Sequence, residues 1–172
     1  MANTLFHRLL RYDLEYSRRA PIDWDIRDPP PSARYHPLLL SPTVLLSPED
    51  LAMPATSPPV IAFTIICDVL PYNTPIVARN FAGVTIHDVL SAIHNALQDE
   101  ITRQEWDNFT KKQQDRIQIF RDDRLRRFED PSDADKGIKA IDTLLRHSFF
   151  GGLTPIPGAE PACVLTLRRV QE

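Results

Sequence analysis

Val84-Thr85-Ile86-His87-Asp88-Val89-Leu90-Ser91-Ala92-Ile93, followed by Thr102-Arg103-Gln104-Glu105-Trp106, decides how this chain folds. Each stretch sets a threonine ahead of an apolar-periodic run, with an acid three residues on. The hydroxyl accepts from an orphan backbone N–H while the carboxylate favours the positive helix end. The first helix carries its core stripe at Val89, Leu90, Ile93 and Leu97. The second presents Trp106, Phe109, Gln113, Ile117 and Phe120 at helical steps, which predicts one helix that ends or bends near Arg121, where Asp122 and Asp123 begin a charged stretch. Two capped helices between Val84 and Phe128 mark a folded domain rather than a disordered regulator.

Immediately upstream, Val60 to Val69 is β-branched and aromatic, as a central strand is. Leu70-Pro71-Tyr72-Asn73 supplies a turn, and Thr74 to Arg79 alternates Pro75, Val77 and Arg79 against Ile76 and Ala78. Together these predict an antiparallel hairpin. Downstream of the helices, Glu129 to Asp133 reads as a loop. Gly137 to Leu145, His147 to Leu153 and Ala162 to Val170 then read as strands, separated by turns at Gly151-Gly152 and Pro155-Ile156-Pro157-Gly158. The first of these also fits a helix, through Ile138, Ile141, Leu144 and Leu145. The predicted fold is α+β: an antiparallel sheet of about four or five strands packed against a helical pair, with a Pro-rich N-terminal arm.

The chain divides into an N-terminal amphipathic segment (residues 1–20), a Pro-rich extended arm packed on the domain (21–59) and the α+β core (60–172). In the first, Leu5, Leu9 and Tyr12 share a stripe flanked by Phe6, Leu10 and Leu14, predicting a short helix over Asn3 to Tyr16. Its apolar side packs on the domain or docks a partner. Trp24-Asp25-Ile26-Arg27 alternates as a short edge strand stopped by Pro29-Pro30-Pro31. Leu38-Leu39-Leu40 and Val44-Leu45-Leu46 are too apolar for a free linker, and Ser47-Pro48-Glu49-Asp50-Leu51 is a cap with proline at the first helical position.

Composition narrows the function classes. A formal net charge of −3 argues against a dedicated nucleic-acid binder. The densest basic cluster, Arg121, Arg124, Arg126, Arg127 and Lys136, is interleaved with Asp122, Asp123, Glu129 and Asp130, so its field largely cancels. It reads as a solvated mixed-charge helix end, or more sharply as an anion contact. Charged residues interrupt every apolar stretch from Met1 to Ala20, which predicts no secretory signal, and no apolar run is long enough to span a membrane. The expected compartment is cytoplasmic or nuclear. Cys67 and Cys163 sit inside apolar runs and are expected to be buried free thiols.

Candidate chemistry is sparse. His87 and His94 lie seven residues apart, too far for a helical metal pair, so they read as exposed helix histidines; no metal or cofactor is expected. His7, His36 and His147 show no spacing pattern. No nucleophile elbow or phosphate-cradling glycine loop occurs, and Ser148 beside His147 is mere adjacency. Asp142 stands in an apolar stretch, where a carboxylate must cap local backbone or pair with an arginine. The leading expectation is a non-enzymatic protein-interaction module, using edge-strand addition or groove binding through Trp24, Ile26, Leu9 and Tyr12, with another protein or a second copy as partner. The alternative is a small-molecule-binding protein or small enzyme, with Asp142, His147, His87 and Arg79 around a pocket between arm, sheet and helices.

The order of these motifs resembles an uncharacterised domain, abundant in mushroom-forming fungi, that is catalogued as a domain of unknown function. The likeness is carried by Trp24-Asp25-Ile26-Arg27, Pro54-Ala55-Thr56-Ser57-Pro58-Pro59, Val84 to Ile93, Asp142-Thr143-Leu144-Leu145 and Phe149-Phe150-Gly151-Gly152-Leu153. It covers roughly Ile22 to Leu167 and implies a fungal source and a conserved fold, but no activity. Ala162-Cys163 stands where the family usually begins its final strand with an aromatic, often tryptophan, so the resemblance implies different packing there.

Overall fold

Three capping boxes organise the helical half of the molecule, one more than the periodicity reveals. In chain order the computed structural model contains β1 (Leu5–Phe6), β2 (Ile22–Asp23), β3 (Arg34–Tyr35), α1 (Pro48–Leu51), β4 (Thr56–Ser57), β5 (Ala62–Ile66), β6 (Ile76–Arg79), α2 (Ile86–Gln98), α3 (Arg103–Asp107), α4 (Lys111–Leu125), α5 (Ala140–Thr143), β7 (Phe149–Pro155) and β8 (Ala162–Arg168). It describes residues 4–13, 20–36, 44–70, 74–128, 131–132, 136–158 and 161–170. The leucines at 38–40, most of the turn at 70–73 and much of the loop at 129–133 lie outside the described residues.

α2 opens as expected: the Thr85 hydroxyl accepts from Asp88 N–H at 3.2 Å and the Asp88 carboxylate accepts from Thr85 N–H at 2.9 Å. Val89, Leu90, Ile93 and Leu97 are all buried. The second predicted helix is broken in two. Thr102 and Glu105 cap α3, which stops at Asn108, and Thr110 with Gln113 forms a fresh box that starts α4. Helical spacing carries Trp106, Phe109 and Gln113 straight through that break and conceals it. α4 also continues past Arg121 to Leu125, burying only Ile117 and Arg124.

The main sheet has the strand order β6-β5-β8-β7. β5 and β6 form the predicted antiparallel hairpin, from Ala62 opposite Arg79 to Ile65 opposite Ile76. β7 and β8 are also antiparallel, but β8 runs parallel to β5, so the sheet is mixed rather than antiparallel. Two-stranded ribbons β1–β4 and β2–β3 flank it. The helices do not form a pair across one face: α2 packs on β6, while α4 packs on α5. Residues 137–145 form no strand. They carry α5, the helical option at that position. Gly151-Gly152 is no turn either; both glycines lie within β7, at a bulge.

The N-terminal segment departs most from expectation. The predicted amphipathic helix is absent from the described residues, which run β1, a turn and an extended stretch; Leu14 lies outside them. Here β7 uses the backbone that a helix would use: Leu153 N–H donates to Leu10 O at 2.7 Å and Tyr12 N–H to Leu153 O at 3.0 Å. Such close approach requires Gly152, at φ +127°, because a Cβ there would lie 2.6 Å from the Tyr12 nitrogen. Beside it, Phe150 N–H donates to Trp24 O and Ile26 N–H to Ser148 O. Trp24 lies between Phe150 and His94, and its indole N–H donates to Asp28 O. Leu9, Leu10, Ile22, Trp24, Ile26 and Leu46 therefore belong to the same core cluster as α2 and the sheet.

One ion pair joins α4 to α5. Arg124 is 6% exposed and Asp142 is 2% exposed. Arg124 Nε donates to Asp142 Oδ1 at 2.8 Å, and Arg124 Nη2 donates both to Asp142 Oδ2 at 2.9 Å and to Gly137 O at 2.8 Å. Asp142 Oδ2 also accepts from Lys139 N–H at 2.8 Å, capping α5. Both options read for Asp142 from sequence are thus realised at once, and Arg124 leaves the solvated cluster to which it was assigned. Breaking the pair from one side is expected to be severe. Arg124→Met should cost about 3–5 kcal/mol in urea unfolding, because it leaves a buried carboxylate unpaired. Arg124→Met/Asp142→Leu should recover most of that loss.

Candidate functional site

The residues that sequence reasoning gathered around a pocket do not meet. Asp142 is buried in its ion pair. His147 is exposed, its backbone N–H bonded to Leu144 O. His87 is exposed on the first turn of α2, with Nδ1 3.4 Å from Ser91 Oγ. Arg79 is exposed on β6. His94 is not an exposed helix histidine: it is half-buried, with Nδ1 2.8 Å from Ile26 O and its ring against Trp24. Leu9, Trp24 and Ile26 are buried in the chain's own core, and Tyr12 is half-buried with its backbone on β7.

A different place has the shape of a site. A cleft of about 680 Å³ opens between the approach to α3, α3 itself, α4 and residues 136–138. Ile101, Trp106 and Ile138 give it an apolar floor, and Arg103, Asp107, Gln118, Arg121 and Lys136 give it a polar rim. Ile101 N–H donates to Ile138 O at 3.0 Å, which clamps the two floor segments together. Gly137 lies between them, where the Glu100 side chain fills the space that a Cβ would enter. Arg121 Nε donates to Lys136 O at 2.6 Å, and Arg124 holds Gly137 O from below. The cleft wall is therefore fixed by the same arginine that pairs with Asp142.

The rim's charges are largely engaged. Arg103 lies 3.8 Å from Asp107 and Arg121 Nη1 3.0 Å from Asp122. Beyond the rim, Arg126 pairs with Asp123 and Arg127 with Asp28, so the basic cluster is spread over neutralising contacts. Sequence reasoning missed this cleft because three separated segments build it. Its one legible signal was Trp106, a large aromatic that the break at Asn108 leaves half-buried instead of in the core. The rim can orient a polar ligand and the floor can take an apolar side chain. Asp107 is the only carboxylate among the described residues that line the cleft, and it is largely exposed. Among the described residues no three His, Cys, Asp or Glu side chains group as a metal site, and no helix is long and apolar enough to cross a membrane.

Titration behaviour reports on scaffold. Burial pushes the Cys67 thiol up to about 11 and the Cys163 thiol up to about 12. Both are free and buried, as expected. Burial and a hydrogen bond to Asp50 raise Tyr35 to about 12. The Tyr35 hydroxyl, followed by Ser47, holds Asp50 below its ordinary value. For Asp88, burial pulls upward, but Asn80 and Thr85 outweigh it and the net direction is down.

The chain belongs to a family of unknown function (DUF6699), which matches residues 22–162. No curated protein and no solved structure matches it.

Two measurements follow from these groups. At pH 8 neither thiol should react with a thiol reagent in the native protein, and both should react in denaturant. Asp50 and Asp88 are lowered from 3.8, so their contribution to stability is complete above that value and is lost as pH falls through the folded values. The urea midpoint should fall below about pH 4, and less steeply in Asp50→Asn/Asp88→Asn.

Proposed function

We propose that this chain is a non-enzymatic protein-interaction module of the fungal cytoplasm or nucleus, and that the Trp106 cleft receives a segment of its partner. The observation that carries this reading is the cleft itself: an apolar floor under a half-buried tryptophan, edged by polar side chains and open to solvent. Interfaces concentrate their energy in such places, where an aromatic residue is flanked by arginines and surrounded by a polar rim. The buried free thiols fit a reducing compartment, and the fungal source follows from the resemblance in the motifs. Leu9, Trp24 and Ile26 support the module from inside, as core residues, rather than by touching a partner.

The second reading is a small-molecule-binding protein. It is favoured by volume alone, since about 680 Å³ falls within the range of ligand pockets. The half-exposed lining weighs against it, because such pockets enclose most of their ligand.

Trp106→Ala should separate these readings. With the thiols still protected, the variant should lose a protein captured by wild type, with affinity falling about tenfold or more. Capture that survives Trp106→Ala would overturn the assignment of the cleft. A small-molecule mass increment in native mass spectrometry, absent from the variant, would establish the second reading.

A further inference from the structure

Residues 10–12 cover the outer edge of β7 at Leu153, through the two backbone bonds to Leu10 O and from Tyr12 N–H. The turn that feeds this segment runs from His7 to Leu10 and is held by two bonds of its own. Leu10 N–H donates to His7 O at 2.9 Å, and Leu9 N–H donates to His7 Nδ1 at 3.2 Å. The second bond dictates a protonation state. Nδ1 accepts only as a bare nitrogen, so the neutral ring carries its proton on Nε2 and commits its one ring lone pair to Leu9. A further proton must enter at Nδ1, where it displaces the bond and sets N–H against N–H. Leu9 is 4% exposed, so its orphaned amide has little water to turn to.

We infer that His7 is an acid-sensitive latch on this cover: proton uptake by the ring releases residues 9–12 from Leu153 and bares that stretch of the β7 edge. The ring is half-buried and lines a small surface cleft of about 280 Å³ with Phe6, Pro54 and Pro59, so protons reach it in the folded protein. Its surroundings set the direction of the switch. Burial lowers the His7 pKa from 6.5, Arg8 and Arg11 on its own segment lower it further, and Asp50 of α1 opposes them. Tyr35 and Ser47 already hydrogen-bond that carboxylate. β4 and the rest of residues 54–59 carry no charged side chain. The neutral ring thus belongs to the closed cover and the cation to the open one. Closure is complete above 6.5 and weakens as pH falls through the folded value.

Amide hydrogen exchange, followed by NMR at Leu153 and Tyr12, tests this with two variants at one position. His7→Asn offers Oδ1 to the N–H two residues on, in the manner of an Asx-turn, and never takes up a proton there. His7→Ala offers no acceptor at any pH. Wild type and His7→Asn should exchange alike at about pH 7.5, and wild type should run about fivefold faster at about pH 5. His7→Ala should exceed His7→Asn about fivefold at both. His36, His87, His94 and His147 are common to all three proteins and cancel from each comparison. Equal exchange in wild type and His7→Asn at the lower pH, or an unchanged His7→Ala, would overturn the inference. So would a wild-type rise shared by the buried amides of α2, because it reports loosening of the whole fold. The Trp106 cleft shares no residue with this segment, so partner capture through it stands or falls on its own.

Discussion

A buried arginine–aspartate pair governs the helical half of this molecule. α4 has almost no apolar stripe with which to dock: Ile117 and Arg124 are its only buried residues. A helix so polar is normally placed by hydrophobic packing or not at all. Here Arg124 reaches Asp142 and Gly137 O together, so a charge network sets the position that apolar area would usually set. Such networks are costly when half-satisfied, which gives them geometric strictness. The Lys139 N–H completes the acceptors on Asp142, and the wall of the Trp106 cleft inherits its position from that arrangement.

Where local rules suffice, the chain is legible from its letters. α2 and the β5–β6 hairpin need only a cap, a period and a turn, and both stand where those signals put them. Asp142 was legible as a carboxylate in need of partners, though its arginine, eighteen positions away, was hidden in a run of surface charge. The failures arise where a second signal, a distant contact or a fresh cap, overrode a local period. Leu5, Leu9 and Tyr12 mimic a helical stripe, yet β7 claims their backbone. Trp106 to Gln113 mimics one helix, yet Thr110 restarts it. The parallel pairing of β5 and β8 has no local signature, because it depends on where the chain returns after its helices. The cleft was illegible for the same reason.

The motifs that carry the resemblance map onto architecture. Trp24 fills the centre of the core, Val84 to Ile93 starts α2, Asp142 anchors α4, and Gly152 admits the Tyr12 backbone. Each has a packing or hydrogen-bonding duty sufficient to explain its identity. On the proposed reading, function rests on residues outside those motifs, Trp106 among them.

The cover over β7 has a consequence for biosynthesis. Residues 10–12 and 24–26 are made early, yet the strand that receives them, Phe149–Pro155, is translated well over a hundred residues afterwards. On the ribosome, Leu9, Leu10, Trp24 and Ile26 must therefore wait as unsatisfied apolar side chains until nearly all of the sheet has emerged. Closure of the core is slow for a domain of this size, because its decisive contacts span most of the sequence. During that interval the growing chain carries a tryptophan-bearing apolar segment whose place in the core does not yet exist.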